Sequence, residues 1–369
     1  MSFIRLWQRY LFFKISTRML LFLGLFYALY LLIDVSTHLQ QISTSLGFFS
    51  PSLYLYYALI FSQIADLFIP LSFLLATLST LFSLAHYKEL LAFQVSGLGK
   101  RKLFIPFFIL SLMGMALMYS NEEWVRPKSV KFIDNLESNY LKRSHDKRQE
   151  TIHNYPISDT AKVVFATFNA EEKALVDTFF IKDRKTLYHA KKLSLYPAYS
   201  TGKHVDVFKQ NSQGHFIKTH TYDHYTFFTL KIDPHLIDVK ITPVKHLSLS
   251  ALFEFSFSKE ALPLFPLPQI RTHFFYKAFM PFCLPFILLF IFPFATRFSR
   301  KMPTLLITAL SLFCFVMFYI LQNASIILGE NSLLLPYKAI IIVPLLAVIT
   351  YSTAVLIRII KRTRPKKRL

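Results

Sequence analysis

The 369-residue chain has little glycine, 8 residues, and only 2 cysteines. So few glycines exclude collagen-like and Gly-rich low-complexity structure. Two cysteines cannot build a disulfide scaffold. Charge is sparse as well: Asp, Glu, Lys and Arg make up 17% of the chain, against about 25% in an ordinary soluble domain. Acidic residues are the scarcer sign, 21 against 42 Lys and Arg, leaving a net charge of +21. No G-x-x-x-x-G-K-[ST] string occurs, which excludes a P-loop. The nearest run, Gly97-Leu-Gly99-Lys100-Arg101, lacks the first Gly and the Ser/Thr. It reads as a helix C-cap followed by charge. No G-x-S-x-G elbow is present either. Any work this chain does must draw on a partner or a gradient.

What is abundant is apolar. Hydrophobic residues make up 53%, with 40 Phe and a mean hydropathy of +0.40. Such a chain cannot stay disordered, and its composition points to an integral membrane protein. A helix needs about 20 apolar residues to cross the hydrocarbon core. Six candidates are present, at about Ile15–Thr37, Leu53–Leu84, Leu103–Tyr119, Phe274–Ala295, Pro303–Leu328 and Leu334–Ile357. Pro70 lies inside the second, which predicts a kink or tilt. The first is too long for a cleavable signal peptide, and no small-residue cleavage site follows it.

Residues 121–272 differ from the flanking halves. They are polar, rich in His and free of any 18-residue apolar run. Stretches such as KVVFATF, DTFFIKD, HVDVFKQ and THTYDHYTFFTLKID predict short strands, and Asn211-Ser-Gln-Gly214 predicts a turn. The expected architecture is an all-β sandwich or jellyroll-like domain, reached by a helical stalk over Glu122–Arg148. The domains expected are 1–120 with helices one to three, 121–272 as the β domain, and 273–369 with helices four to six and a basic tail.

Basic residues give the orientation. Arg5, Arg9, Lys14 and Arg18 precede or enter helix one. Lys88, Lys100, Arg101 and Lys102 follow helix two, and Arg297, Arg300 and Lys301 follow helix four. Arg358, Lys361, Arg362, Arg364, Lys366, Lys367 and Arg368 close the chain. The loops His38–Ser52 and Gly329–Ser332 have none. Both termini are therefore expected in the cytoplasm and the β domain outside it. That domain holds 22 basic and 17 acidic residues, so the large net charge is mostly a topology signal, not a nucleic-acid footprint.

Between helices two and three, about 86–97, His86-Tyr-Lys-Glu-Leu-Leu-Ala-Phe-Gln-Val-Ser-Gly97 reads as a short amphipathic helix with Glu89, Leu90, Leu91 and Phe93. It either lies on the membrane surface or docks into a cytoplasmic partner. Glu89 is the one acidic residue on the expected cytoplasmic side. Four ionisable residues sit in or at the edge of spans, where they are functional candidates. Asp34, Lys277 and Lys338 fall near outer ends, where snorkelling is the alternative. Asp66 falls deep in helix two, facing the interior or another subunit, or capping near Pro70. A phosphorylated lipid head group would suit Lys277 and Lys338, and Asp34 is a candidate partner for one of them. In the β domain, Phe208 and Phe228 mark an expected apolar groove for acyl chains. His220 and His224 in HTYDH lack a third ligand, so they read as strand residues more readily than as a metal site. Cys283 and Cys314 read as packing residues.

Three strings resemble the LptF/LptG family of lipopolysaccharide-export permeases. They are Glu89-Leu-Leu-Ala-Phe-Gln-Val-Ser-Gly97, then Glu123-Trp124-Val125-Arg126-Pro127, then the run FVMFYILQNASIILGENSLLLPYKAIIIVPLL near the C-terminus. The order of three helices, a β domain and three helices is similar too. The resemblance implies six helices with a periplasmic β-jellyroll in the cell inner membrane. It implies a paralogous LptF/LptG subunit around a shared cavity, an LptB-like ATPase dimer, and an LptC/LptA-like periplasmic bridge receiving lipopolysaccharide. It implies no catalysis or cofactor in this chain, and makes 86–97 the coupling helix with Glu89 touching the ATPase. Asp34 matches a position where the family carries a charge facing substrate, but an Asp does not suit phosphates. The Leu32-Ile-Asp34-Val35 end of helix one leans towards the LptG-like member. From the residues alone, a membrane-anchored scaffold or sensor and a lipid- or glycan-modifying enzyme are the rivals.

Overall fold

The computed structural model describes residues 6–45, 50–136, 153–157, 161–169, 172–183, 185–196, 199–211, 215–228, 230, 232, 237, 243–257, 267–296 and 304–363. The basic loop Arg297–Lys301, the tail from Arg364, the stalk beyond Leu136 and most of the Asn211–Gly214 turn lie outside the described residues. The chain divides into a helical unit, residues 1–142, 248–250 and 271–369, and a second unit, residues 143–247 and 251–270.

In the helical unit, α1 runs Leu6–Ser45, α2 Pro51–His86, the short α3 Glu89–Val95, and α4 Lys100–Ser120. Ser50 caps α2 by accepting from the Leu53 N–H at 3.3 Å, with Pro51 in the first turn, a pairing suited to a helix start. Pro70 lies inside α2 without ending it. A π-helical turn, Asn121–Val125, joins α4 to α5, Arg126–Leu136. After the sheet and a nine-residue helix α6, Leu249–Phe257, come α7 Leu267–Phe279 and α8 Cys283–Ala295, joined by a tight turn at Met280–Phe282. Pro281 and Pro285 there cannot donate backbone hydrogen bonds. Last are α9, Thr304–Glu330, and α10, Pro336–Thr363. Among the described residues, six helices are long and apolar enough to cross a membrane, α7 and α8 counting as one.

Their core centres on α2. Phe73, Leu78 and Leu81 of α2 pack with Phe107 of α4 and Leu284 of α8, all 1% exposed or less. Without a hydrophobic drive between helices in lipid, close approach needs small residues. A Cβ on Gly114 would collide with the Leu284 side chain, and one on Gly329 would lie 2.7 Å from Thr272 Oγ1. Both glycines mark tight helix contacts. Leu11, Ile15 and Met19 form the buried stripe of α1 at i, i+4, i+8. Many other α1 side chains, and most of α9, are exposed, Leu32 at 71% and Leu305 at 82%.

The second unit holds β1 His153–Pro156, β2 Lys162–Asn169, β3 Ala174–Asp183, β4 Thr186–Leu195, β5 Ser200–Gln210 and β6 Phe216–Phe227. They form one antiparallel sheet in the order β1 to β6. The all-β character expected from the sequence is present. The described strands make a single meander rather than the two sheets of a sandwich. Val163, Phe165, Leu175, Phe180, Leu193, Val205 and Phe227 bury its inner face.

One row interrupts the alternation. Asp177, Lys191, His204 and Asp223 fall out of the ladders in β3, β4, β5 and β6 while the register either side is kept. Asp177 and His204 take φ of 50° and 49°, conformations Asp and His tolerate better than branched residues. Burial parity flips there: Leu175 is inward before the row, Thr178 and Phe180 after it. The sheet thus keeps its apolar side across a bend.

Candidate functional site

The spacing Glu122/Arg126 is i, i+4, so one helical face carries both charges. The π-helical turn presents them towards α2 and α7. Arg126 bonds Glu122 and lies 3.7 Å from Asp66 of α2. Lys277 of α7 meets the other Glu122 oxygen at 2.6 Å. These side chains are 2–14% exposed. Two carboxylates and two cations thus form a buried chain of zero net charge joining three spans. One turn before Lys277, His273 lies 2.6 Å from Glu330 at the end of α9. Asn121 in the π turn fixes the geometry: its amide donates to the Ser62 carbonyl at 2.9 Å and accepts from the Ser62 hydroxyl at 2.7 Å. Such turns recur at functional sites because they re-aim side chains without ending the helix.

Asp66 therefore faces the interior, as one of its sequence readings held. Lys277 is 2% exposed and engaged by Glu122, because its neutralising carboxylate lies on the neighbouring span. Asp34 lies beside Tyr27 and Tyr57, away from the chain formed by Lys277. Lys338 sits 6.0 Å from the Tyr337 ring. The structure brings Asp66 and Lys277 into one network. The sequence reading missed Glu122, Arg126, His273 and Glu330; the i, i+4 pair of opposite charges beside a span was the available signal.

At the α2–α3 turn, Lys88 takes φ 58° and α3 begins at Glu89. Lys14 Nζ lies 2.9 and 3.0 Å from the two Glu89 oxygens, and the Tyr10 hydroxyl donates to Oε2 at 2.9 Å. Leu90 is 2% exposed in the chain's own core, and Phe93 packs against it. Both were expected to seat this helix in a partner together with Leu91. Helical phase corrects that: Leu90 and Phe93 point inward at i, i+3, while Leu91 and Val95 are exposed at i, i+4, with Tyr87 exposed in the turn before the helix.

In the sheet, Phe208 follows the buried Val207 and lies on the opposite face, half-buried, while Phe228 is 74% exposed beyond β6. Neither lines the apolar face; Val205, Val207 and Phe227 do. The bend row splits His220, opposite buried Val207, from His224, opposite exposed Lys203, so the two histidines face opposite ways. On the outer face, Lys192 bonds Glu172 at 2.5 Å, and Lys218 and Thr221 bond Asp206 at 2.7 and 2.9 Å. These partners hold both carboxyls below the usual carboxylate range. Among the described residues no group of three or more His, Cys, Asp or Glu is placed to hold a metal ion.

Six helices able to cross a membrane, a neutral ionic chain buried among them and a sheet between the third and fourth define a polytopic membrane protein with an inserted β unit. A family profile, Lipopolysaccharide export system permease LptF/LptG, matches residues 9–358. The chain belongs to the LptF/LptG family of lipopolysaccharide-export permeases, and it is a multi-pass inner-membrane protein. That profile covers both subunits and does not separate LptF from LptG. No curated protein matches the chain.

Proposed function

We propose that this chain is the non-catalytic permease subunit of an ABC transporter, extracting lipopolysaccharide from the inner membrane and passing it to an LptC/LptA-like periplasmic bridge. The observation that carries this is the family match through both membrane halves and the β region. ATP is hydrolysed by a separate LptB-like dimer, docked on the Leu91 and Val95 face of α3 beside Tyr87 of the preceding turn, with Glu89 at its edge. The paralogous subunit covers the exposed faces of α1 and α9. Both termini are cytoplasmic and the β domain is periplasmic. Acyl chains pass along the apolar face of the sheet. β6, 12 residues long and last in the sheet among the described residues, extends that face into the next periplasmic domain by strand addition. The domains are residues 1–120, 121–272 and 273–369.

The test is purification of the tagged chain from its native membrane, with mass spectrometry of bound proteins and lipids. Co-purification of an ATPase, a paralogous permease and lipopolysaccharide is expected. A photo-crosslinker at Val207 should capture lipid, and one at Phe208 should not. Recovery of the chain without an ATPase under conditions that keep its paralogue bound would overturn the transporter reading.

A further inference from the structure

Helix α3 is only seven residues long and is fixed at two points. Leu90 anchors it in the helical core. The second point is polar and lies on a different span. Lys14 Nζ bonds both oxygens of Glu89, and Tyr10 hydroxyl bonds Oε2. Tyr10 also orients the lysine: Nζ donates to its hydroxyl at 2.7 Å and lies 5.0 Å from its ring. Lys14 and Glu89 are 18% and 30% exposed, so water competes with the pair only in part. One turn along, Arg18 of α1 donates to Ser79 Oγ of α2 at 3.2 Å. The polar stripe of α1 thus contacts first α3 and then the helix that leads into it.

A carboxylate has about four acceptor sites, and this one uses three within its own chain. Glu89 is therefore not simply presented to a partner; it is held in a set direction by α1. We propose that Lys14 and Tyr10 are positioning residues that tie α3 to α1, so that movement imposed on α3 by the ATPase passes to the first span as well as to α2. This rests on the reading of α3 as the ATPase-docking helix. It adds a route: α1 exposes apolar side chains such as Leu25, Leu29 and Leu32, and the tie makes it answer to nucleotide. Losing the tie leaves docking intact and wastes hydrolysis.

The experiment has two arms. In the first, Lys14→Met, Glu89→Gln and the double variant are compared by thermal unfolding of the full-length permease without ATPase. Non-additive shifts are expected, the double variant falling little further than either single. Additive shifts overturn the tie. In the second, the complete complex is reconstituted in vesicles with lipopolysaccharide, and ATP hydrolysed per lipid released is measured. Lys14→Met should raise that ratio at least about fivefold, the lower end for coupling between sites, with ATPase pull-down unchanged; Tyr10→Phe should raise it less. An unchanged ratio overturns the proposal, and so does loss of ATPase from Lys14→Met, which would make Lys14 part of the docking surface. Glu89→Gln separates the two readings. If it keeps the ATPase, the docking role of Glu89 fails, and the transmission built on it falls too, while the first arm still reports whether the tie exists.

Discussion

Glu122 and Lys277 meet at 2.6 Å with side chains 7% and 2% exposed; Glu172 and Lys192 meet at 2.5 Å at 54% and 35%. The chemistry is the same and the surroundings are not. On the sheet, water solvates each charge alone almost as well as the pair does, so the pair adds little. Among the helices neither charge has that alternative. There the pair is a condition for burying either residue, and its partners Arg126 and Asp66 extend the condition to three spans. Distance alone says nothing about an ion pair's worth; what each member would face alone decides it.

The sharpest way to break this comparison is to remove one member from each kind of pair. Lys277→Met or Glu122→Gln alone leaves a buried charge without its partner and should cost about 3–5 kcal/mol. Glu122→Leu with Lys277→Met should recover most of that, since the Asp66–Arg126 pair stays neutral. Reversible unfolding in mixed detergent reads both; a double variant as unstable as the singles would show that packing, not charge, sets the cost. Next comes Gly114→Ala. Its Cβ must displace Leu284, an overpacking cost of about 1–3 kcal/mol, read by the same assay. Asn121→Ala removes both bonds to Ser62 and should cost about 1–3 kcal/mol, with extra hydrogen exchange in the π turn. A variant without added exchange there would show the turn is held by packing alone.

The smallest effects belong to the sheet. Lys192→Met should leave thermal unfolding unchanged. Glu172 and Asp206 have lowered carboxyl pKa values. Their contribution is therefore present above the unfolded-state values, 4.5 and 3.8, and is lost as pH falls through the lower folded ones. Protection of β4 and β5 amides in the full-length chain should fall only in that acid range, and high salt should flatten the change. A neutral-pH transition in those strands would point to the histidines instead.

Much of this was legible in the sequence. Long apolar runs identified six spans, because no soluble fold tolerates them so often. Strand composition identified a β region. Asp66 and Lys277 stood out as single charges in apolar surroundings. Their partners did not, because Glu122 and Arg126 sit where a span ends and read as the start of a polar stalk. The Lys14–Glu89 contact joins residues far apart in the chain, which spacing cannot reveal. In the sheet, the row through Asp177 and His204 inverts the inside and outside of β3 and β5. Aromatic character pointed to Phe208, whereas Val205 and Val207 are the inward residues at i, i+2.

The buried quartet also has a consequence in time. Asp66, Glu122 and Arg126 all precede the sheet in the chain, and Lys277 follows it. When the ribosome has delivered only the first three spans, they hold two carboxylates and one guanidinium. The first half then waits in the bilayer one positive charge short. Lys277 reaches the membrane only after the whole sheet-bearing region has been made, and its arrival completes the neutrality of helices synthesised much earlier. A chain halted before α7 should thus be the form that membrane quality control recognises and degrades. The same halted chain carrying Glu122→Gln should survive longer, its charges already balanced.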